Sequence, residues 1–228
     1  MKNKNKKNKM LIIGHRGASA FEQENTIKAF EKAFELGADG FECDIRKSKD
    51  NKLVVIHDID LKKASKGKEI RKVSELTAKQ LRKYNIPLLQ EVIDFAKKNP
   101  KKLLLIEIKE KGTEEDLADI IKKNKISKQV MVVSFFSSSI NKIRQLFIPE
   151  KIKIGFIFSK LKPKPFPIAL GIKTDFLIPN HSLVTKQLVD LAHHYKIKVL
   201  AWVIDDKKLA LHLFNMGVDA IASNTLLK

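Results

Sequence analysis

Three carboxylates stand where a buried strand is expected to be apolar, and that placement points to chemistry. Glu42 and Asp44 lie two residues apart in one apolar run, and Glu107 ends another. Burying such groups is costly unless they are paired or bind a metal. Oxygen ligands without competing sulfur favour a hard cation, so the sequence predicts a site for one Mg²⁺ or Ca²⁺ ion. The alternative is a salt bridge at the rim of the fold. It accounts for a single carboxylate as well as a metal site does, but it accounts poorly for three carboxylates together.

Two histidines, His15 and His57, each close a predicted strand. Imidazoles give and take protons near neutral pH, so a pair can divide the roles of general acid and general base. Arg16 offers a planar fork suited to a phosphate, and Lys109 adds a second positive charge. The set predicts metal-assisted phosphodiester chemistry. Which histidine is the acid, and whether water or a substrate hydroxyl attacks, stays open.

Two aromatic residues are candidates for the wall of a substrate pocket. They are Phe135 and Trp202, and a place in the plain core suits each of them almost as well. Cys43 lies between Glu42 and Asp44, so it faces the opposite side of its strand and has no expected catalytic role. The remaining histidines have no carboxylate partner by spacing and are interpreted as surface or packing residues: His181, His193, His194 and His212.

Strand-length apolar runs alternate with segments of helical period, which predicts a parallel sheet covered by helices. Eight such runs favour a (β/α)8 TIM barrel, in which polar residues at the carboxyl ends of strands form the active site. The predicted strands are residues 11–14, 41–46, 103–108, 130–135, 152–158, 176–179, 198–204 and 219–222. The predicted helices are residues 26–36, 88–98, 113–123, 138–147, 185–195 and 206–216.

One further strand, residues 53–57, follows the second barrel strand too closely for a parallel crossover. It is therefore predicted to form an antiparallel hairpin through a two-residue turn at residues 50–51. That register places His57 opposite Asp44. Since alternate side chains share a face, the hairpin is expected to bring His57 to the carboxylates of the second strand.

Composition sets the broad class. The 228 residues are 43% apolar, and 45 Lys and Arg against 26 Asp and Glu give a net charge of +19. The lysines are spread along the chain without a nucleic-acid motif, so no specific nucleic acid partner is expected, and weak contact with an anionic membrane surface is the alternative.

One cysteine excludes an internal disulfide, and no apolar run could span a bilayer. We expect a cytoplasmic protein with one domain, residues 11–228, after a disordered lysine-rich tail, residues 1–10. The sequence leaves the oligomeric state open.

A series of short motifs resembles the glycerophosphodiester phosphodiesterase family in order and spacing, over nearly the whole chain after the tail. The family has a TIM barrel with a small insertion after its His-Asp motif, which implies an insertion at about residues 61–85 here. The motifs are Gly14-His15-Arg16-Gly17, Glu24-Asn25-Thr26, Glu42-Cys43-Asp44, His57-Asp58, Glu107-Ile108-Lys109 and Ala201-Trp202-Val203.

The resemblance implies metal-dependent hydrolysis of glycerophosphodiesters, the deacylated phospholipids, to sn-glycerol 3-phosphate and an alcohol. The expected partner is thus a small-molecule glycerophosphodiester, and its preferred head group stays open. By position, the resemblance gives the metal to Glu42, Asp44 and Glu107, acid–base catalysis to His15 and His57, and the phosphate to Arg16 and Lys109.

The chain departs from the family pattern in three places. Gln23 replaces a proline, Lys62-Lys63 replaces an arginine, and Ser223-Asn224-Thr225-Leu226 replaces Thr-Asp-x-Pro. The last change bears on the exit of the final strand and on substrate preference. The alternatives are a lysophospholipase D or sphingomyelinase D-like phosphodiesterase, and an inactive barrel that binds lipid head groups or RNA.

Overall fold

The computed structural model describes residues 9–228, so most of the predicted lysine-rich tail lies outside the described residues. Eight parallel strands close into a barrel and one more strand pairs outside it, which confirms the predicted (β/α)8 fold with an extra hairpin strand. The barrel strands are β1 (Leu11–Gly14), β2 (Gly40–Lys47), β4 (Leu103–Ile108), β5 (Val130–Ser134), β6 (Lys153–Phe158), β7 (Phe176–Pro179), β8 (Lys198–Ala201) and β9 (Ala220–Ser223). The outer strand is β3 (Leu53–Val55). The ring closes because β1 pairs in parallel with both β2 and β9.

Helices cover the outside of the barrel, and the six predicted helices agree with the structure within one residue at each end. One barrel helix, α6, was not predicted, because prolines in and before its first turn obscure the helical period. Pro165 occupies the first helical position, where no backbone N–H is needed. The helices are α1 (Ile27–Glu35), α2 (Ala78–Leu81), α3 (Leu89–Lys97), α4 (Glu114–Asn124), α5 (Ser137–Leu146), α6 (Pro165–Gly171), α7 (Lys186–His194) and α8 (Lys207–Asn215).

Helix α1 shows how local sequence seats a helix on the barrel. The side chain of Thr26 accepts a hydrogen bond from the backbone N–H of Ala29, which caps the first turn. The apolar face of α1 is then buried, and Phe30 stacks on Phe41 of β2 with ring centroids 4.1 Å apart. Cys43 packs in this same apolar layer between barrel and helices, away from the barrel interior.

The hairpin of β2 and β3 is antiparallel as predicted, but the predicted register is wrong by one residue. The backbone N–H of Ile56 donates to the carbonyl of Asp44 over 2.9 Å, so Ile56 lies opposite Asp44, not His57. Strand β3 ends at Val55, and Ile56 is buried in the small core of the insertion that follows. His57 therefore reaches the barrel mouth after the strand has ended rather than by alternation along it.

The register differs because the hairpin turn has three residues instead of two. The N–H of Ser48 donates to the carbonyl of Lys52 over 2.9 Å, which leaves residues 49–51 as the turn. Asn51 has a φ of 57°, a left-handed conformation that asparagine tolerates and that is typical of three-residue hairpin loops. One additional turn residue moves every pairing by one position.

Between β3 and α3 the chain forms an insertion with its own apolar core. Leu61, Val73 and Leu81 are all fully or almost fully buried in it. The insertion contacts the loop after β1, where Lys63 forms a 2.6 Å ion pair with Glu24. It therefore forms one side of a cleft at the carboxyl end of the barrel.

The lower part of the barrel interior is filled by apolar side chains from most of the barrel strands, among them Ile13 of β1, Leu105 of β4 and Val133 of β5. Gly155 belongs to this packing, because a Cβ there would lie 2.5 Å from Cδ1 of Ile178. The interior of the barrel is thus a packed core and not a pore. No helix in the described part of the chain combines the length and apolar character that crossing a membrane requires.

Candidate active site

The three predicted carboxylates meet at the mouth of the barrel. Glu42 and Asp44 extend from the same face of β2, and Glu107 on β4 is the register partner of Asp44. All three are buried, and each offers an oxygen within 4.8 Å of the others. Neighbouring strands in matched register thus bring carboxylates that are far apart in sequence to one point.

Two oxygens of this cluster are unsatisfied. Within residues 9–228, neither Glu42 Oε1 nor Asp44 Oδ1 has a hydrogen-bond partner, although both are buried. Leaving a buried acceptor unpaired costs about 1–3 kcal/mol, and more for a charged group. A set of unpaired carboxylate oxygens fits a hard divalent cation, so these residues are suited to hold Mg²⁺ or Ca²⁺.

The pKa values of the three carboxyl groups depend on their burial and on the charged side chains close to them. Burial, and then repulsion from Asp44, raises the pKa of Glu107 to about 7. Burial and the two neighbouring carboxylates likewise raise the pKa of Glu42 well above its usual range. Burial also acts on Asp44, but attraction by Lys109 and Arg16 outweighs it and lowers the pKa of that carboxyl. Asp44 is therefore the member of the cluster that is most readily ionised.

Arg16 and Lys109 lie among the carboxylates. Arg16 places Nε 3.3 Å from Asp44 Oδ2, and its backbone N–H donates to Glu42 Oε2 over 2.8 Å. Lys109 Nζ lies 2.8 Å from Glu107 Oε1 and 3.7 Å from Asp44 Oδ1. Both cations line the cavity, where they can reach an anionic ligand while they offset part of the carboxylate charge.

Asn25 has a role that the sequence analysis did not find. Asn25 directly precedes Thr26, the residue that caps α1. Asn25 is instead buried beside Asp44, with Nδ2 donating to Asp44 Oδ2 over 2.9 Å and Oδ1 accepting from Asp44 N over 3.1 Å. Its φ of 60° is the left-handed conformation that asparagine tolerates. Asn25 thus fixes the orientation of one carboxylate of the cluster.

His57 lies at the rim of the cavity and is oriented by its neighbour in sequence. His57 Nδ1 is 2.7 Å from Asp58 Oδ1, and the carbonyl of His57 accepts a hydrogen bond from Arg46 Nε over 2.9 Å. Burial lowers the pKa of His57, and the charge of Asp44 with the hydrogen bond to Asp58 opposes that effect. The pair resembles the imidazole–carboxylate arrangement of general acid–base sites.

His15 faces the same cavity from the end of β1. Its Nδ1 lies 2.8 Å from Asn224 Oδ1, and Asn224 Nδ2 donates to Asp205 Oδ2 over 2.8 Å. Burial, and next the positive charge of Arg16, lowers the pKa of His15. Asn224 was noted only as a departure from a family motif. The predicted closed barrel could have indicated this contact, because the first and last strands of a closed barrel are neighbours and their carboxyl ends lie side by side.

The two predicted aromatic residues line the cavity. Phe135 and Trp202 lie just beyond β5 and β8, which end one and three residues earlier than predicted. Their rings meet edge to face with centroids 5.8 Å apart, and Trp202 Nε1 donates to the carbonyl of Ile178 over 3.0 Å. Lys109 Nζ lies 5.7 Å from the centroid of the Phe135 ring. The aromatic wall thus adjoins the charged cluster.

His193 is an exposed residue, as expected, but it has a long-range contact that its spacing in the sequence did not show. His193 has a carboxylate partner, because its Nε2 lies 2.8 Å from Asp219 Oδ2 across the opposite end of the barrel. The partners are 26 residues apart, so local spacing could not reveal the contact. The pair lies outside the cavity that holds His15 and His57.

The fold and this cavity place the protein among (β/α)8-barrel enzymes with an active site at the carboxyl ends of the strands. A model of the glycerophosphoryl diester phosphodiesterase family matches residues 15–228. A glycerophosphodiester phosphodiesterase of Caldanaerobacter subterraneus subsp. tengcongensis is 31% identical over an alignment of 235 positions, which covers 95% of this chain and 94% of the relative.

Solved structures agree with the sequence comparison. The chain is similar to a glycerophosphodiester phosphodiesterase of Thermotoga maritima, with a TM-score of 0.83, 26% identity and 96% of each chain covered. It is also similar to an Oleispira antarctica phosphodiesterase in complex with the product sn-glycerol-3-phosphate, with a TM-score of 0.82, 25% identity and 95% and 94% of the two chains covered. The chain belongs to the glycerophosphoryl diester phosphodiesterase family and is a phosphodiesterase, which confirms the resemblance seen in the sequence.

Proposed function

We propose that the protein hydrolyses glycerophosphodiesters to sn-glycerol 3-phosphate and an alcohol with the help of one divalent cation. The observation that carries the proposal is the buried cluster of Glu42, Asp44 and Glu107, in which two oxygens have no hydrogen-bond partner, beside the cavity that His15 and His57 border. The Oleispira antarctica relative in complex with sn-glycerol-3-phosphate supports the proposed product.

Charge balance favours a phosphodiester as the ligand. The three carboxylates of the cluster, when ionised, exceed the two cationic side chains, Arg16 and Lys109, by one negative charge. Glu42, Asp44 and Glu107 would hold the cation, which when bound would supply positive charge that stabilises negative charge on the phosphate. A site with a net charge of about +1 then suits a phosphodiester monoanion.

The two histidines move the protons. One imidazole accepts the proton of the attacking oxygen, from water or from a glycerol hydroxyl of the substrate, as that oxygen bonds to phosphorus. The bond from phosphorus to the alcohol oxygen breaks, and the other imidazole, protonated at the outset, donates its proton to that oxygen. When the glycerol hydroxyl attacks, water opens the resulting cyclic phosphate in a second step with the two roles exchanged.

Arg16 and Lys109 position the phosphate. The guanidinium of Arg16 has five N–H donors, and its contacts with Glu24 and Asp44 leave others for a phosphate oxygen. Lys109 approaches from β4, on another side of the cluster. Cations held by buried carboxylates are already oriented before the substrate binds, which lowers the entropic cost of binding.

Two spaces flank the reacting phosphate. Phe135 and Trp202 wall the cavity inside the barrel mouth. A cleft of about 430 Å³ lies between the loop after β1 and the insertion, and His57 and Asp58 line it. We infer that one space takes the glycerol and the other the departing alcohol, since both reach His57.

A substrate panel tests the proposal. Glycerophosphocholine, glycerophosphoethanolamine and lysophosphatidylcholine are each incubated with the enzyme and Mg²⁺ or Ca²⁺, and product is measured. We expect sn-glycerol 3-phosphate from both deacylated substrates and little turnover of the acylated one. Preference for lysophosphatidylcholine would instead identify a lysophospholipase D-like enzyme.

A further inference from the structure

The loop after β9 brings an amide side chain to His15. β9 pairs with β1 so that Ser223 lies opposite Gly14, and the N–H of His15 donates to the carbonyl of Ser223 over 2.9 Å. We propose that Asn224, held by Asp205, is a positioning residue that keeps His15 in the Nδ1–H tautomer. Nε2 of the neutral ring is then the nitrogen that can accept a proton. The inference rests on the proposed role of His15 in catalysis.

The carboxylate of Asp205 decides which way the Asn224 amide faces. Partial burial works against ionisation of Asp205, but hydrogen bonds from Thr225 N, Asn224 and Ser223 outweigh it and lower the pKa of that carboxyl. At neutral pH the ionised group can only accept hydrogen bonds. The amide nitrogen of Asn224 must therefore face Asp205 Oδ2, 2.8 Å away, because an amide oxygen there would leave two acceptors in contact.

This orientation leaves the amide oxygen of Asn224 towards His15. Asn224 Oδ1 lies 2.8 Å from His15 Nδ1 and 2.8 Å from the hydroxyl of Ser19. A carbonyl oxygen only accepts, so His15 Nδ1 must carry the hydrogen and donate it. A neutral imidazole has one N–H, so Nε2 keeps its lone pair.

The side chain of Asn224 is not needed to hold the loop in place, because backbone N–H groups of the loop already donate to Asp205. Asp205 Oδ1 accepts from the backbone N–H of Asn224 over 2.7 Å and from that of Thr225 over 3.1 Å. These bonds do not depend on the side chain at position 224. The amide itself is the only link between Asp205 and the His15 ring that these contacts provide.

The neutral side chain at position 224 also matters. The motif that the chain resembles has aspartate there, and a second carboxylate would face Asp205 across a hydrogen-bond distance. Asparagine supplies the acceptor that His15 needs without that repulsion. Because the amide also carries donors, Asp205 can fix its orientation, which it could not do for a carboxylate.

The experiment reads the His15 tautomer directly. ¹⁵N-histidine-labelled enzyme with Mg²⁺ is studied by multiple-bond ¹H–¹⁵N correlation at about pH 8, and His15→Gln assigns the signal. We expect Nδ1 to be protonated in the wild type. In Asn224→Ala the signal should move towards protonated Nε2 and kcat should fall about 10²-fold or more, because a misplaced tautomer disables a catalytic imidazole. Asp205→Asn should do the same, since it lets the amide rotate.

Two further variants separate the role of the oxygen acceptor at position 224 from an unspecific effect of mutation. Asn224→Asp keeps an oxygen acceptor and should retain the Nδ1–H signal, whereas Asn99→Ala, which loses only a local bond to the carbonyl of Phe95, should alter neither tautomer nor kcat. A wild-type ring protonated at Nε2, or an unchanged tautomer in folded Asn224→Ala, would overturn the proposal. If His15→Gln keeps full activity, the proposed function fails, while the tautomer result still decides the role of Asn224.

Discussion

Asp44 and Glu107 are register partners on neighbouring parallel strands, and one ammonium, Lys109 Nζ, lies within 3.7 Å of the first carboxylate and 2.8 Å of the second. Matched register thus places two negative charges side by side in a buried site. Lys109 and Arg16 together carry one charge fewer than Asp44, Glu107 and Glu42 when all three carboxylates are ionised. The geometry is therefore compatible with a further cation, and this links the fold to the proposed chemistry.

Removing either histidine should abolish most of the activity. We expect His15→Ala and His57→Ala each to lower kcat by about 10²–10⁴-fold, the usual contribution of a general acid or base. Steady-state kinetics measures the effect, and circular dichroism checks the fold. His212→Ala, on an exposed face of α8, is the matched control and should keep wild-type kcat. Activity within about tenfold of the wild type in either variant would remove that histidine from the mechanism.

A divalent cation should raise the melting temperature. A ligand that binds only the folded state at 100 times its Kd adds about 2.7 kcal/mol to the free energy of unfolding. We expect Mg²⁺ or Ca²⁺ to stabilise the wild type against EDTA in a thermal melt, and to stabilise Glu42→Gln much less. Glu31→Gln, at an exposed position of α1, controls for loss of a negative charge. An equal rise in Glu42→Gln would place the bound ion elsewhere.

The raised pKa of Glu107 predicts how the stability of metal-free protein depends on pH. Its folded-state value of about 7 exceeds the usual 4.5, so its contribution is fully present below pH 4.5 and is lost as the pH rises through 7. In EDTA, the free energy of unfolding of the wild type should fall relative to Glu107→Gln by about 3 kcal/mol between about pH 4 and pH 8. Denaturant unfolding at several pH values measures this difference, and parallel curves for the two proteins would contradict it.

Arg16→Lys should show that charge alone is insufficient. Lysine keeps the positive charge but loses the planar fork that contacts Asp44 and Glu24. We expect kcat/KM for glycerophosphocholine to fall by about 10–100-fold, the loss of about 1.4–2.7 kcal/mol of transition-state binding. Lys28→Arg, a change between the same residue types on α1, serves as the control. Unchanged kcat/KM in Arg16→Lys would show that Arg16 does not contact the phosphate.

The sequence alone was enough to predict the barrel and to predict that Glu42, Asp44 and Glu107 come together, because the carboxyl ends of the strands lie at the same end of a parallel barrel. It was insufficient where the outcome depends on a turn. One residue more in the turn before β3 moved the register, and Asp50-Asn51 is compatible with a two-residue turn as well as with the three-residue loop Lys49-Asp50-Asn51. His57 nevertheless reached the cavity, by a different route from the one predicted.

The side chains that hold the site were also beyond the sequence. Asn25 resembles a helix cap in sequence, and only the fold shows that its side chain forms two hydrogen bonds with Asp44. The contact between His15 and Asn224 joins residues 209 positions apart, and it depends on closure of the ring between β1 and β9. Local patterns report periodicity and strand ends, whereas these contacts depend on which strands become neighbours.

We propose that the buried carboxylate cluster supports metal-dependent release of sn-glycerol 3-phosphate. The most direct measurement is the initial rate of release from glycerophosphocholine with Mg²⁺, with Ca²⁺ and with EDTA, for the wild type, Glu42→Gln and Glu31→Gln. We expect release by the wild type and Glu31→Gln with at least one metal, no release in EDTA, and a rate lower by at least about 10²-fold in Glu42→Gln. Undiminished release in EDTA, or by folded Glu42→Gln, would contradict it.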